Sequence, residues 1–132
     1  MASTTLDALR DAVEGLVYIS ETDAPWEAFA WPEAAGSPTA EEVRRLGGHP
    51  PDAPAEESDW FEFIEPKTTD EDWHGDAERA DVRRYRRLRE VVERRMTDVR
   101  IVRIGEIEVT TYVVGRAVEG GWAGVRARAV ET

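Results

Sequence analysis

The chain has 132 residues, 41% of them hydrophobic and 34% charged, so it is long enough for a single domain to bury a core without covalent staples and too apolar for wholesale disorder. It contains no cysteine, which excludes disulfides, thiolate metal sites and thiol nucleophiles. The formal net charge of −11 is uneven: residues 1–79 carry 20 Asp or Glu against 5 Lys or Arg, a net of −15, whereas residues 80–132 have a net of +4. A field of that sign repels nucleic acid and anionic membrane and selects a basic partner. The opening Met1-Ala2-Ser3-Thr4-Thr5-Leu6 has no basic segment leading into an apolar one. No apolar run approaches the ~20 residues of a membrane helix, so the expectation is a cytoplasmic protein.

Leu6, Leu9, Val13 and Leu16 recur at helical spacing and predict a helix over 4–16, with Thr4 as N-cap. Pro25 ends any helical option after the Ser20-Glu21-Thr22-Asp23 turn, and Trp26, Phe29 and Trp31 point to a short strand over 27–31. Thr39-Ala40-Glu41-Glu42 opens a short helix that Gly47-Gly48 stops. The stretch 49–58 holds three prolines and reads as an irregular surface segment. Trp60, Phe61, Phe63 and Ile64 read as a strand, followed by an acidic loop over 68–75 with Trp73 as its only large apolar residue. A long helix is predicted over 76–96, with Asp81, Tyr85, Leu88, Val92 and Met96 on one face and a turn near Asp98. The remainder is β-rich. Thr110 to Val114 is apolar or β-branched on both faces, as in a strand covered on both sides, and Val125, Ala127 and Ala129 alternate with arginines. Helices with an antiparallel meander of this kind predict an α+β sandwich with helices on both faces of a mainly antiparallel sheet, in one domain over 1–132.

Little in the chain suggests catalysis. His74 reads as a loop residue, because a zinc site needs three or four converging ligands and no second histidine lies nearby, and His49, after two glycines, reads as a loop or turn residue orienting backbone. The acids are too numerous to single out a catalytic pair, and no nucleophile elbow or phosphate-cradling glycine loop is present. The eight arginines between Arg79 and Arg95 could suit nucleic acid. Interspersed acids, with Glu90 and Arg94 four apart, favour a self-paired solvated face that also meets the acidic first half. Trp31 and Trp60 are expected in the core. Trp73, ringed by Asp70, Glu71, Asp72 and Asp76, either folds back onto the core or anchors an interface.

Across nearly its whole length the chain resembles the nuclease A inhibitor and inhibitor-like family. The resemblance runs in order through Gly15-Leu16 with Ser20-Glu21, Pro25 with Phe29 and Trp31, Gly48-His49, Asp52-Ala53-Pro54, Thr68-Thr69 and Asp72-Trp73. It is strongest at the end, in Arg103, Gly105-Glu106, Glu108, Tyr112-Val113, Gly115, Ala123-Gly124 and Val130-Glu131-Thr132. His74-Gly75 stands where the resemblance would place a bulkier, more acidic pair, and the long helix is richer in arginine than expected.

The resemblance implies an α/β/α sandwich similar to the plant pathogenesis-related protein fold, and inhibition of a sugar-non-specific, metal-dependent DNA/RNA endonuclease. It further implies that Glu21, Trp73 and Thr132 reach the nuclease active site. Carboxylate and hydroxyl oxygens suit a hard metal ion there, and the terminal carboxylate at Thr132 would add another anionic ligand. The protein is then expected to be a non-enzymatic inhibitor with no cofactor and no metal of its own. It would be a monomer when free and would bind neither nucleic acid nor membrane directly. Two other readings stay open: an interaction module for some other basic protein, with nuclease binding lost, and an enzyme built on a carboxylate cluster.

Overall fold

The computed structural model describes residues 4–18 and 24–130. In chain order these form α1 (Thr5–Val13), β1 (Val17–Tyr18), β2 (Ala24–Pro25), β3 (Glu27–Trp31), α2 (Ala40–Leu46), β4 (Ala55–Asp59) and α3 (Trp60–Lys67). Then follow α4 (Asp76–Arg95), β5 (Met96–Ile104), β6 (Glu108–Ala117) and β7 (Trp122–Val130). Five strands make one sheet in the order β3-β7-β6-β5-β4, antiparallel at every step, and β1 pairs β2 in a small separate ribbon.

Strand alternation sends side chains to two faces, and each face builds its own core. On one face Ile101, Val113, Val125, Ala127 and Ala129 meet Leu9 and Leu16, Trp60 and Ile64 of α3, and Tyr85, Leu88 and Val92 of α4. On the other, Phe29, Val102, Ile104, Tyr112, Val114 and Trp122 meet Val43 of α2. The layering expected from sequence is therefore observed, as an α+β arrangement with three helices on one face and one on the other. β6 is buried from Val109 through Gly115, as a strand covered on both sides must be.

The caps follow the sequence closely. Thr4 accepts from the Asp7 N–H at 3.1 Å, and Asp7 answers by accepting from the Thr4 N–H. Thr39 does the same for Glu42 at 3.2 Å. Each such cap contributes about 1 kcal/mol. Glu119, from the β6–β7 turn, accepts from the Thr5 N–H at 2.8 Å and from the Thr5 hydroxyl, tying α1 to the far end of the chain.

Five expectations are corrected. The segment 60–64 is helix, not strand: Asp59 caps it by accepting from the Glu62 N–H at 3.0 Å, and Trp60 and Ile64, four apart, share its buried side. The segment 49–58 is irregular only to Pro54, because β4 then joins the sheet edge against β5. Val82, not Asp81, lies in the buried stripe of α4 with Tyr85, Leu88 and Val92. No turn separates α4 from β5; Asp98 instead sits at a φ of 57° beside a register shift between Thr97 and Arg100, a bulge inside the strand. Trp60 is core, but Trp31 is only half-buried, and Trp26 and Trp122 fill the deeper positions.

Three of the eight arginines of α4 pair with acids of the same helix. Arg84 meets Asp81 at 3.2 Å, Arg89 meets Glu93 at 2.9 Å and Arg94 meets Glu90 at 2.9 Å. The helix also reaches into the acidic half, through Arg86 to Asp70 at 3.4 Å and Arg89 to Glu65 at 3.0 Å.

Candidate functional site

The loop between α3 and α4 carries Trp73, and its geometry is built from both helices. Where α3 ends, the Thr68 hydroxyl donates to the Ile64 carbonyl at 3.1 Å, and the Thr69 hydroxyl donates to the Glu65 carbonyl at 2.8 Å. From α4, Arg86 Nε donates to the Thr68 carbonyl at 2.8 Å, and an Arg89 terminal nitrogen donates to Thr68 Oγ1 at 3.0 Å. The start of the loop is thus held by four bonds, two of them charge-assisted and stronger for it.

The tip closes on itself. The His74 N–H donates to the Glu71 carbonyl at 3.0 Å, and the Glu71 N–H donates to His74 Nδ1 at 3.1 Å. That contact requires Nδ1 to be unprotonated, so the histidine serves as a backbone acceptor within the turn. Trp73 stands in this turn with 74% of its surface exposed, its ring at a steep angle to His74 with centroids 4.3 Å apart. It does not fold back onto the core. Gly75 then leads into α4, with the Glu78 carboxylate accepting its N–H at 3.1 Å.

Next to this loop lies a shallow apolar groove formed by Phe61 and Pro66, rimmed by Glu62, Glu65 and Glu71. Phe61 is 58% exposed. Sequence reasoning missed it because the strand reading of 60–64 gave no reason for Phe61 to face outward; on a helix with Trp60 and Ile64 buried, it must.

Glu21 and Thr132 both lie outside the described residues. The described residues nearest them in the chain are Tyr18, Ala24 and Val130. β1 and β2, on either side of 19–23, pair through Val17↔Pro25 and Tyr18↔Ala24. Tyr85 of α4 pins them: its hydroxyl donates to the Val17 carbonyl at 3.3 Å and accepts from Trp26 Nε1 at 3.1 Å. Burial pushes the Tyr85 phenol up to about 12, opposed by the Trp26 hydrogen bond. The rings of Tyr18, Trp26 and Phe63 then stack edge to face, at 5.4 and 6.1 Å, and carry the contact across to α3. Val130, the last described residue, pairs with Glu108 at the end of β7, a strand that also contacts β2. Val17 and Trp26, and the start of the Trp73 loop at Thr68, are therefore bonded to neighbouring residues of one helix, Tyr85 and Arg86.

Among the described residues no group of three His, Asp or Glu side chains is arranged to hold a metal ion, and no helix is long and apolar enough to cross a membrane. His49 is more than a loop residue: its Nε2 lies 2.6 Å from the Tyr112 hydroxyl. A family model described as nuclease A inhibitor-like protein matches residues 3–132. No curated protein matches the chain.

Proposed function

Because the chain belongs to the nuclease A inhibitor-like family, we propose that it binds and blocks the active site of a sugar-non-specific, metal-dependent endonuclease. Glu21, Trp73 and Thr132 form the centre of the contact. The observation that carries the proposal is Trp73: a tryptophan 74% exposed on a loop whose start and tip are both locked by hydrogen bonds. A large exposed ring on a pre-ordered loop loses little conformational entropy on binding, which is what an interface anchor requires.

The roles follow from chemistry. The Glu21 carboxylate and the Thr132 hydroxyl are hard oxygen donors suited to the divalent ion of a nuclease centre. Trp73 fills space beside it and excludes water. The acidic surface around Trp73 enters a groove shaped for phosphates, so the protein acts by occupying the site and not by catalysis.

The test is titration of the protein into a sugar-non-specific, metal-dependent nuclease, alongside Trp73→Ala, Glu21→Gln and a chain lacking Thr132. The intact protein should inhibit stoichiometrically, and Trp73→Ala should cost about 2 kcal/mol of binding, near thirtyfold. Equal inhibition by all four proteins would remove the assigned contacts, and inhibition by none would remove the function.

A further inference from the structure

The face of the sheet away from α4 holds a second, chemically opposite feature. α2 packs over β4 and β5, and on that face β7 is buried at Trp122 but becomes less covered toward Arg126 and Arg128. Between the C-terminal loop of α2 and β7 lies a cleft of about 410 Å³, within the range of small-molecule sites. Its floor is set by strand register. Arg126 stands between Glu27 of β3 and Tyr112 of β6, and Arg128 stands opposite Thr110. His49 and Gly47 close it from above.

Three details show a shaped site. Arg126 Nε donates to Glu27 Oε1 at 2.8 Å, which fixes the plane of the guanidinium. His49 Nε2 and the Tyr112 hydroxyl hold each other at 2.6 Å. Gly47 is required for that pair, because a Cβ there would collide with the Tyr112 hydroxyl and come within 2.9 Å of the His49 ring. In a chain of net charge −11, this concavity is lined, among the described residues, by two arginines and one carboxylate, Glu27.

We propose that this cleft binds a phosphate group, with Arg126 and Arg128 as the charged clamp and the His49, Tyr112 and Thr110 polar groups completing its lining. Guanidinium groups match the geometry of phosphate oxygens and donate charge-assisted bonds to them. Arg128 is 69% exposed and holds only a long ion pair, 3.9 Å, with Glu108, which a phosphate would compete with. The site lies on the opposite sheet face from α3 and α4, and Pro25 of β2 lines its edge.

His49 supplies a reporter. Burial, and then the charges of Arg128 and Arg126, hold its imidazole below the ordinary histidine range. The groups facing it are Glu27 of β3, Tyr112 of β6, and Arg126 and Arg128 of β7, with Asp52, Glu106 and Glu108 along the adjoining mouth. A bound phosphate offsets the two arginines, so the His49 pKa must rise on binding.

The experiment is an NMR titration of the full chain, following both histidine rings and the backbone amides. One arm uses inorganic phosphate and the other a nucleoside monophosphate, each against sodium chloride at matched ionic strength. Saturable shifts at His49 and β7, a raised His49 pKa and an unmoved His74 ring are expected in at least one arm. The two arms distinguish free phosphate from a phosphate carried on a small molecule. Arg128→Gln should weaken binding about tenfold without changing the spectrum elsewhere, whereas Arg116→Gln on the exposed surface should not. Shifts that match chloride in both arms, or that survive Arg128→Gln unchanged, would overturn the proposal.

Discussion

Tyr85 illustrates how one side chain serves both stability and site. It is the acceptor for the buried Trp26 N–H and the donor to the Val17 carbonyl. Tyr85→Phe leaves the indole donor without its acceptor and should cost about 1–3 kcal/mol in denaturant unfolding. The ionisation has a definite sign. With a folded pKa of about 12 above an unfolded value of about 10, the folded state retains the proton longer. The contribution is complete below about pH 10 and is lost as pH rises toward 12, by at most about 2–3 kcal/mol. Comparing pH-dependent unfolding of the parent and Tyr85→Phe should show a larger alkaline loss in the parent, because the buried Tyr112, also raised by burial, remains in both. Trp73→Ala, by contrast, removes an exposed ring and should change stability by no more than about 0.5 kcal/mol. A larger loss in thermal unfolding would mean that the ring supports the fold and is not held ready for a partner.

At the scale of elements, α3 is the sharpest case. Trp60 is 5% exposed and Phe61 is 58% exposed on adjacent positions. Trp60→Ala should therefore destabilise by about 3–5 kcal/mol, whereas Phe61→Ser should leave the melting temperature nearly unchanged. The strand reading of 60–64 failed because four large apolar residues in five positions satisfy either period. The decisive signal was local: Asp59 with Glu62 three residues later is a helix start. The helices α1 and α2, each opened by a capping threonine, and α4, marked by its apolar spacing, were legible to within a few residues, as were β3 and the doubly covered β6. The edge strand β4 was not, because Glu56, Glu57, Ser58 and Asp59 carry no apolar alternation at all; only pairing with β5 makes them a strand. At the candidate site, the exposure of a lone tryptophan among acids was a question the sequence could pose but not answer. Arg86 and Arg89, which secure its loop, could not be told apart by spacing from the other arginines of α4. The His49–Tyr112 contact spans 63 positions of chain and left no local trace.

For the molecule as a whole, charge and contact do separate work. The acidic first half should set how fast a basic partner arrives, and the few central contacts how long it stays. Raising ionic strength from about 0.05 to about 0.5 M should slow association with the proposed nuclease target by roughly tenfold or more. Trp73→Ala should mainly speed dissociation, both being read by stopped-flow or surface-based kinetics. The same acids have a quieter consequence at the margin of the sheet. β4 is an edge strand, and such an edge offers its open backbone groups to any other extended chain. Its exposed Glu56, Glu57 and Asp59 make that offer self-repelling, since a second copy docking there would oppose carboxylates to carboxylates. Replacing Glu56 and Glu57 by valine should turn a dispersed solution into one that forms sheet-extended polymers, visible by sedimentation. Self-association is thus opposed by the charge carried along that one strand.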